Sequence, residues 1–125
     1  MEIVLDTDTA SHLFRDTLPS VAQSRLRGHD LFITFVTLAE MLRGAKKARW
    51  GIQKVTQLET WLGRWPVMAG EEECAREWAR IVAELEDKGR SMGANDAWVA
   101  ACCLAADFPL ATLNQKHFKE VPAYG

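Results

Sequence analysis

The sequence predicts an α/β fold: a three-layer α/β/α sandwich around a central, mostly parallel sheet of four to five strands. Three observations carry that expectation. Short apolar runs around Ile3–Leu5, Leu31–Ile33 and Leu110–Leu113 do not alternate cleanly, as befits strands covered on both faces. Amphipathic stretches with apolar residues three and four apart separate those runs and are long enough to serve as crossover helices. The 125 residues suit one core that buries roughly two thirds of the unfolded surface. No repeat or linker divides the chain, so residues 1–125 read as one domain.

The elements follow in order. Residues 2–6 form an apolar strand ending in Asp6, after which Thr7 to Thr9 can cap a helix beginning near Ala10. Pro19-Ser20 opens a short helix to Leu26, closed by Gly28. Residues 31–34 are the second strand. A helix follows from about Val36 to Gly44, and another from about Lys46 to Leu62, with Val55, Leu58 and Leu62 on its apolar face. Trp65 to Met68 is a third strand. Glu71-Glu72-Glu73 complements the positive end of a long helix that stops at Lys88-Gly89, with Cys74, Trp78, Ile81, Val82 and Leu85 on its buried stripe. A helix rich in small residues runs from Asn95 or Asp96 to about Ala106. Residues 110–113 form the fourth strand, a turn of helix follows Asn114, and Val121 to Tyr124 begins a last edge strand.

Composition narrows the function classes. Uncharged stretches such as residues 31–39 are too short to span a bilayer, and no cationic leader with an apolar run opens the chain. Three cysteines, two of them adjacent (Cys102 and Cys103), make neither a disulfide framework nor a Cys-x-x-Cys knuckle, so a reducing cytoplasm is the expected location. A net charge of −2 argues superficially against a nucleic-acid partner. The charge is uneven, however: Arg43, Lys46, Lys47, Arg49 and Lys54 form a basic run with no acid among them.

In open parallel sheets, ligands bind beyond the carboxyl ends of the strands. Asp6 ends the first strand and Asp8 lies just past it. Glu40 sits about one and a half turns into the helix after the second strand, Asp96 opens the helix leading to the fourth, and Asn114 follows that strand after Thr112. Four separate segments thus deliver oxygen donors to one sheet edge. Clustered carboxylates repel unless a cation neutralises them, and an all-oxygen set suits Mg²⁺ or Mn²⁺. Each residue also has a plainer reading. Glu40 can pair with Arg43, Asp96 and Asp8 can cap helices, and Asn114 can turn the chain. The histidines His12, His29 and His117 are scattered, with no metal-ligand companion at helical spacing.

These segments resemble the PIN-domain ribonucleases, and most of all the VapC-type toxins of bacterial toxin–antitoxin pairs. The first-acid strand is matched by Ile3-Val4-Leu5-Asp6-Thr7-Asp8 and the second-acid helix by Thr37-Leu38-Ala39-Glu40-Met41 with Gly44. Asn95-Asp96-Ala97-Trp98-Val99-Ala100-Ala101 is similar to the third-acid segment, and residues 110–118 to the closing strand and loop. The resemblance spans residues 3 to about 122 in the family's order. It implies metal-dependent hydrolysis of RNA, with tRNA a plausible target, homodimerisation and inhibition by a cognate antitoxin. Carried over by position, Asp6, Glu40 and Asp96 are the acidic metal ligands. Asn114 stands where many members have a fourth acid, which puts a second metal site in question, with Asp8 a further candidate. Thr7 and Thr112 are supporting residues. Arg43, Lys46, Lys47, Arg49 and Lys116, with Arg90 a weaker candidate, are expected to meet RNA phosphates. Trp50, Trp61 and Trp65 surround the region where the family's dimer and antitoxin surfaces form, although core packing explains them equally well.

Two other readings stand beside this one. Asp6-Thr7-Asp8-Thr9 matches the Asp-x-Asp-x-Thr signature of haloacid-dehalogenase-like phosphatases, in which the first Asp is a nucleophile, with Thr34 as a second motif. The late acidic pair of that family has no counterpart. The remaining alternative is a non-catalytic α/β interaction domain whose acids are caps.

Overall fold

The computed structural model describes residues 1–118. The edge strand expected over residues 121–124, and the side chain of His117, lie outside the described residues. Among these the sheet has four strands, β1 (Glu2–Leu5), β2 (Asp30–Thr34), β3 (Val67–Met68) and β4 (Leu110–Ala111), in the order β3-β2-β1-β4. Every neighbouring pair is parallel, with Val4 opposite Phe32 on one side and Leu110 on the other. The helices are α1 (Thr7–Phe14), α2 (Ser20–Leu26), α3 (Phe35–Lys47), α4 (Ile52–Leu62), α5 (Glu72–Asp87), α6 (Ala94–Ala106) and α7 (Gln115–Phe118). The α/β/α sandwich expected from the apolar runs is the observed architecture. None of these helices is long and apolar enough to cross a membrane.

Side chains on a strand alternate between faces, and β1 shows what this does when both faces are covered. Ile3 and Leu5 point into one core layer with Leu26, Ile33, Met41, Leu58 and Leu62, contributed by α2, β2, α3 and α4. Val4 points the opposite way, into a layer with Val36, Val99 and Cys103. Behind that layer α5 and α6 pack through Cys74, Ile81, Leu85, Ala101 and Cys102. The alanines of α6 let it lie close to its neighbours. Adjacent Cys102 and Cys103 accordingly serve different layers, and Cys102 Sγ lies 2.9 Å from Cys74 Sγ across the α5–α6 contact.

Three helix boundaries differ from the sequence expectation, and two strands are shorter than expected, β3 beginning at Val67 rather than Trp65 and β4 ending at Ala111 rather than Leu113. Helix α1 starts at Thr7, three residues early, because Asp6 is its N-cap: Thr9 N–H donates to Asp6 Oδ1 at 2.9 Å. The threonines expected to cap it are in the helix. Helix α3 continues past Gly44 to Lys47, and α4 begins only at Ile52. Gly44 is an interior residue with no atom within 4 Å of where a Cβ would sit, and nothing in the structure explains the glycine there. The break lies instead at Arg49, whose φ of 56° is left-handed. Lys46 and Lys47 therefore close the last turn of α3, where positive charge complements the helix dipole.

The tryptophans are packing residues. Trp61 meets Phe14 at 5.5 Å and Trp65 at 5.4 Å between ring centroids, Trp50 stacks on Phe14, and Lys54 Nζ lies 4.0 Å over the Trp50 ring. Trp78 and Trp98 stack at 4.9 Å.

Two measurements check this core. Leu5 is fully buried, so Leu5→Ala should cost about 3–5 kcal/mol in urea unfolding, the range for a central cavity. All three cysteines are buried, and none is in a disulfide. Burial, and then the Cys74 sulfur beside it, push the Cys102 thiol far above its ordinary range. The native protein should therefore react with a thiol reagent at neutral pH only as fast as it unfolds; immediate labelling of Cys102 would contradict the packing.

Candidate active site

The carboxyl edge of the sheet is assembled by side-chain hydrogen bonds between segments far apart in the chain. Asp6, at the end of β1, is 5% exposed. Its Oδ1 caps α1, and its Oδ2 accepts the Thr112 hydroxyl at 2.5 Å, just past the end of β4. Thr112 Oγ1 in turn accepts the Asn114 N–H at 2.9 Å, fixing the turn after the strand. The Asn114 amide reaches back to Asp8 Oδ2 at 3.2 Å. Asp8 lies in the first turn of α1, and His12 Nε2 stands 3.7 Å from its other oxygen. Asn114 thus both turns the chain and joins the cluster, while Asp8 is not the cap of its helix.

Glu40 is anchored from two sides. Thr7 Oγ1 donates to Oε1 at 2.5 Å and Asn95 Nδ2 to Oε2 at 3.1 Å. Among the described residues no ion pair joins it to Arg43, so the plainer reading of Glu40 fails. Thr7 also meets the hydroxyl of Thr37 at 3.1 Å. Asp96, half-buried, lies in the first turn of α6, but the N-cap is Gly93, so Asp96 does not cap its helix either. Thr34 is fully buried and accepts the Thr37 N–H at 3.2 Å as the cap of α3. A buried cap cannot present its hydroxyl to a phosphate, which removes the second motif of the phosphatase reading.

The structure therefore joins Asp6 with Thr112, Glu40 with Thr7, and Asp8 with Asn114, and it draws the segments bearing Asp6, Glu40 and Asp96 together through Thr7 and Asn95. The basic candidates are spread more widely. Arg43 lies one turn beyond Glu40, roughly 4.5 Å along the axis, whereas Lys46 and Lys47 lie about 9–10 Å away at the far end of α3. Arg49 is farther still, and Lys116 is exposed on α7, two residues after Asn114. Sequence reasoning missed Asn95 as a partner of Glu40 and Thr37 as a partner of Thr7. A signal for Thr37 exists in its spacing, three residues before Glu40 on one helix face.

In chemistry, the donor set fits a hard divalent cation: carboxylate, amide and hydroxyl oxygens, with His12 at the margin beside Asp8. In spacing it is not drawn tight. Among the described residues no three His, Cys, Asp or Glu side chains stand close enough to ligate one ion, and the carboxylates hold hydroxyl and amide donors instead.

Comparison with known proteins agrees with this architecture. The PIN domain matches residues 3–124. "Ribonuclease VapC1" of Haemophilus influenzae is 28% identical over 124 residues, covering 97% of this chain and 92% of that protein. A protein of Shigella flexneri named "tRNA(fMet)-specific endonuclease VapC" is 25% identical over 122 residues, covering 97% and 92%. Among solved structures, VapBC2 of Rickettsia felis, bound to a DNA fragment from its promoter, superposes with a TM-score of 0.86 at 26% identity, over 98% of this chain and 94% of that one. A fold with β1 between β2 and β4, an acid closing β1 and a match over nearly every residue leave one assignment: the chain belongs to the PIN-domain family, and its fold matches that of the VapC-type toxins of bacterial type II toxin–antitoxin systems.

Proposed function

We propose that this protein is a single-domain, Mg²⁺-dependent endoribonuclease, with Mn²⁺ able to substitute, that hydrolyses RNA phosphodiesters as the toxin of a toxin–antitoxin pair. The observation that carries the reading is the nearly buried Asp6 carboxylate at the end of β1, tied through Thr112 to β4, with Glu40 and Asp96 on the helices beside it. Burying a charge at the end of an apolar strand is costly, and a site that uses the charge explains its retention.

Asp6, Glu40 and Asp96 are the residues that would hold the cation, with Asn114 and Asp8 beside them. Bound there, Mg²⁺ supplies positive charge to the phosphate and lowers the pKa of the attacking water. The protein's part is positional. Thr112 fixes one oxygen of Asp6, Thr7 fixes one of Glu40, and Asn114 is held against Asp8. Asn114 is neutral where a fourth acid would add charge, which favours one ion over two.

Arg43 and Lys116 are the cations best placed to receive RNA phosphates beside these acids; Lys46, Lys47 and Arg49 would meet the strand farther along. RNA as the substrate class is supported by the names of the relatives, of which the Shigella protein's carries tRNA. The partners we assign, carried over from the family, are a cognate antitoxin and a second copy of this chain, in the cytoplasm.

Cleavage, growth and RNA binding each test the reading. Wild-type protein should cut RNA with Mg²⁺ and stop on chelation. Asp6→Asn should lose at least about 100-fold in rate, since even outer-shell changes cost 10–100-fold. Asn keeps the cap of α1, and its amide can donate to Thr112 Oγ1 in place of the present bond, so the variant should stay folded, with a melting temperature lowered by a few degrees. Equal cleavage by both proteins sinks the proposal. Growth arrest on expression should vanish in Asp96→Asn. For the basic residues, Arg43→Ala should weaken RNA binding and flatten the salt dependence by about 0.7 in log–log slope, the value for one phosphate on a single strand; an unchanged slope removes Arg43 from the interface.

A further inference from the structure

Both carboxylate oxygens of Glu40 are held by side chains. Thr7 has a single hydroxyl proton, and that proton goes to Glu40 Oε1. The 3.1 Å contact between the Thr7 and Thr37 hydroxyls must therefore run the other way, with Thr37 donating to Thr7. Thr37 is fully buried, and its own N–H is tied to Thr34 Oγ1, so the start of this relay is fixed within α3. On the opposite side, the amide of Asn95 donates to Oε2 from the first turn of α6, across 55 positions of sequence.

We propose that Asn95 and Thr37 are positioning residues for Glu40: Asn95 holds one oxygen directly, and Thr37 holds the other through Thr7, so that the carboxylate stays aimed between α1 and α6. The proposal rests on the ribonuclease reading above and extends it to residues that need not touch the ion. The geometry gives each a distinct task. Asn95 immediately precedes Asp96, so its amide couples the placement of the second and third acids. Thr37 shares a helix with Glu40, so its relay ties that helix to the end of β1 through Thr7. A long, flexible glutamate with neither anchor is free to swing toward Arg43, three residues on. An amide suits position 95 because it donates to the carboxylate without adding a like charge that would repel it.

The test has one arm without metal and one with it. In metal-free protein carrying ¹³C-labelled glutamate, the side-chain carboxyl signal of Glu40, assigned through Glu40→Gln, should move in Asn95→Ala and in Thr37→Val. With metal, the Mn²⁺ dissociation constant read by electron paramagnetic resonance should rise about tenfold in both variants, the low end for outer-shell partners. The kcat for RNA should fall by a similar factor with little change in KM. Thr37→Ser, which returns the hydroxyl, should restore the signal, the affinity and kcat. Folded Asn95→Ala and Thr37→Val proteins with the wild-type carboxyl signal and Mn²⁺ affinity would overturn the proposal. Should Thr37→Val fail to fold, Asn95→Ala decides the matter alone, because position 95 is exposed. Carboxyl shifts in both variants, together with a wild-type protein that neither binds Mn²⁺ nor cuts RNA, would instead overturn the ribonuclease reading.

Discussion

Asp6 accepts a backbone N–H at one oxygen and a hydroxyl at the other, and these two bonds join the end of β1 to the helix that follows it and to the turn after β4, 106 positions away. The first sets where α1 begins; the second sets where the chain goes after β4. Hydrogen bonds to a charged acceptor contribute about 1.5–3 kcal/mol each, and the positive end of α1 adds to them. That is enough to offset much of the cost of keeping a carboxylate 5% exposed. The rest of the edge is built outward from this joint. Thr7 follows Asp6 and reaches Glu40, Asp8 follows Thr7 and reaches Asn114, and Thr112 fixes the turn that carries Asn114.

The alternation of β1 explains why the joint can sit where it does. Because Ile3 and Leu5 serve one layer and Val4 the other, the strand is locked in register by apolar packing on both faces. A slip of one residue would exchange the two layers and carry Asp6 to the wrong side of the sheet. Precision at the acid is therefore supplied by the hydrophobic core rather than by the polar edge, which only has to finish the alignment.

Much of this was legible in the residues, and what was hidden has a physical reason. The place of β1 and of the acid at its end could be read because an apolar run closing on a carboxylate is locally conspicuous. The start of α1 was hidden because Asp6 has two roles at once, and assigning it to the site left the cap to the threonines. The α3–α4 boundary was hidden because Gly44 carries the usual stop signal inside a helix, while the true break falls at a left-handed arginine. The side-chain partners of Glu40 were beyond reach for another reason: contacts to Thr7 and Asn95 span 33 and 55 positions, and no local pattern encodes them.

The double duty of Asp6 has a genetic corollary. Folding asks position 6 for a short side chain that caps α1 and bonds Thr112; asparagine meets the first demand as readily as aspartate, and the second by donating to the threonine oxygen instead of accepting from it. The chemistry proposed for the edge asks for a charge. The two amino acids differ by a single transition in the first base of the codon, so the least disruptive way to disarm this protein is also one of the easiest for a genome to reach. Lineages under pressure from such a gene would be expected to accumulate folded, silent copies at this position sooner than broken ones, and those copies would still present an intact surface to whatever protein restrains the active form.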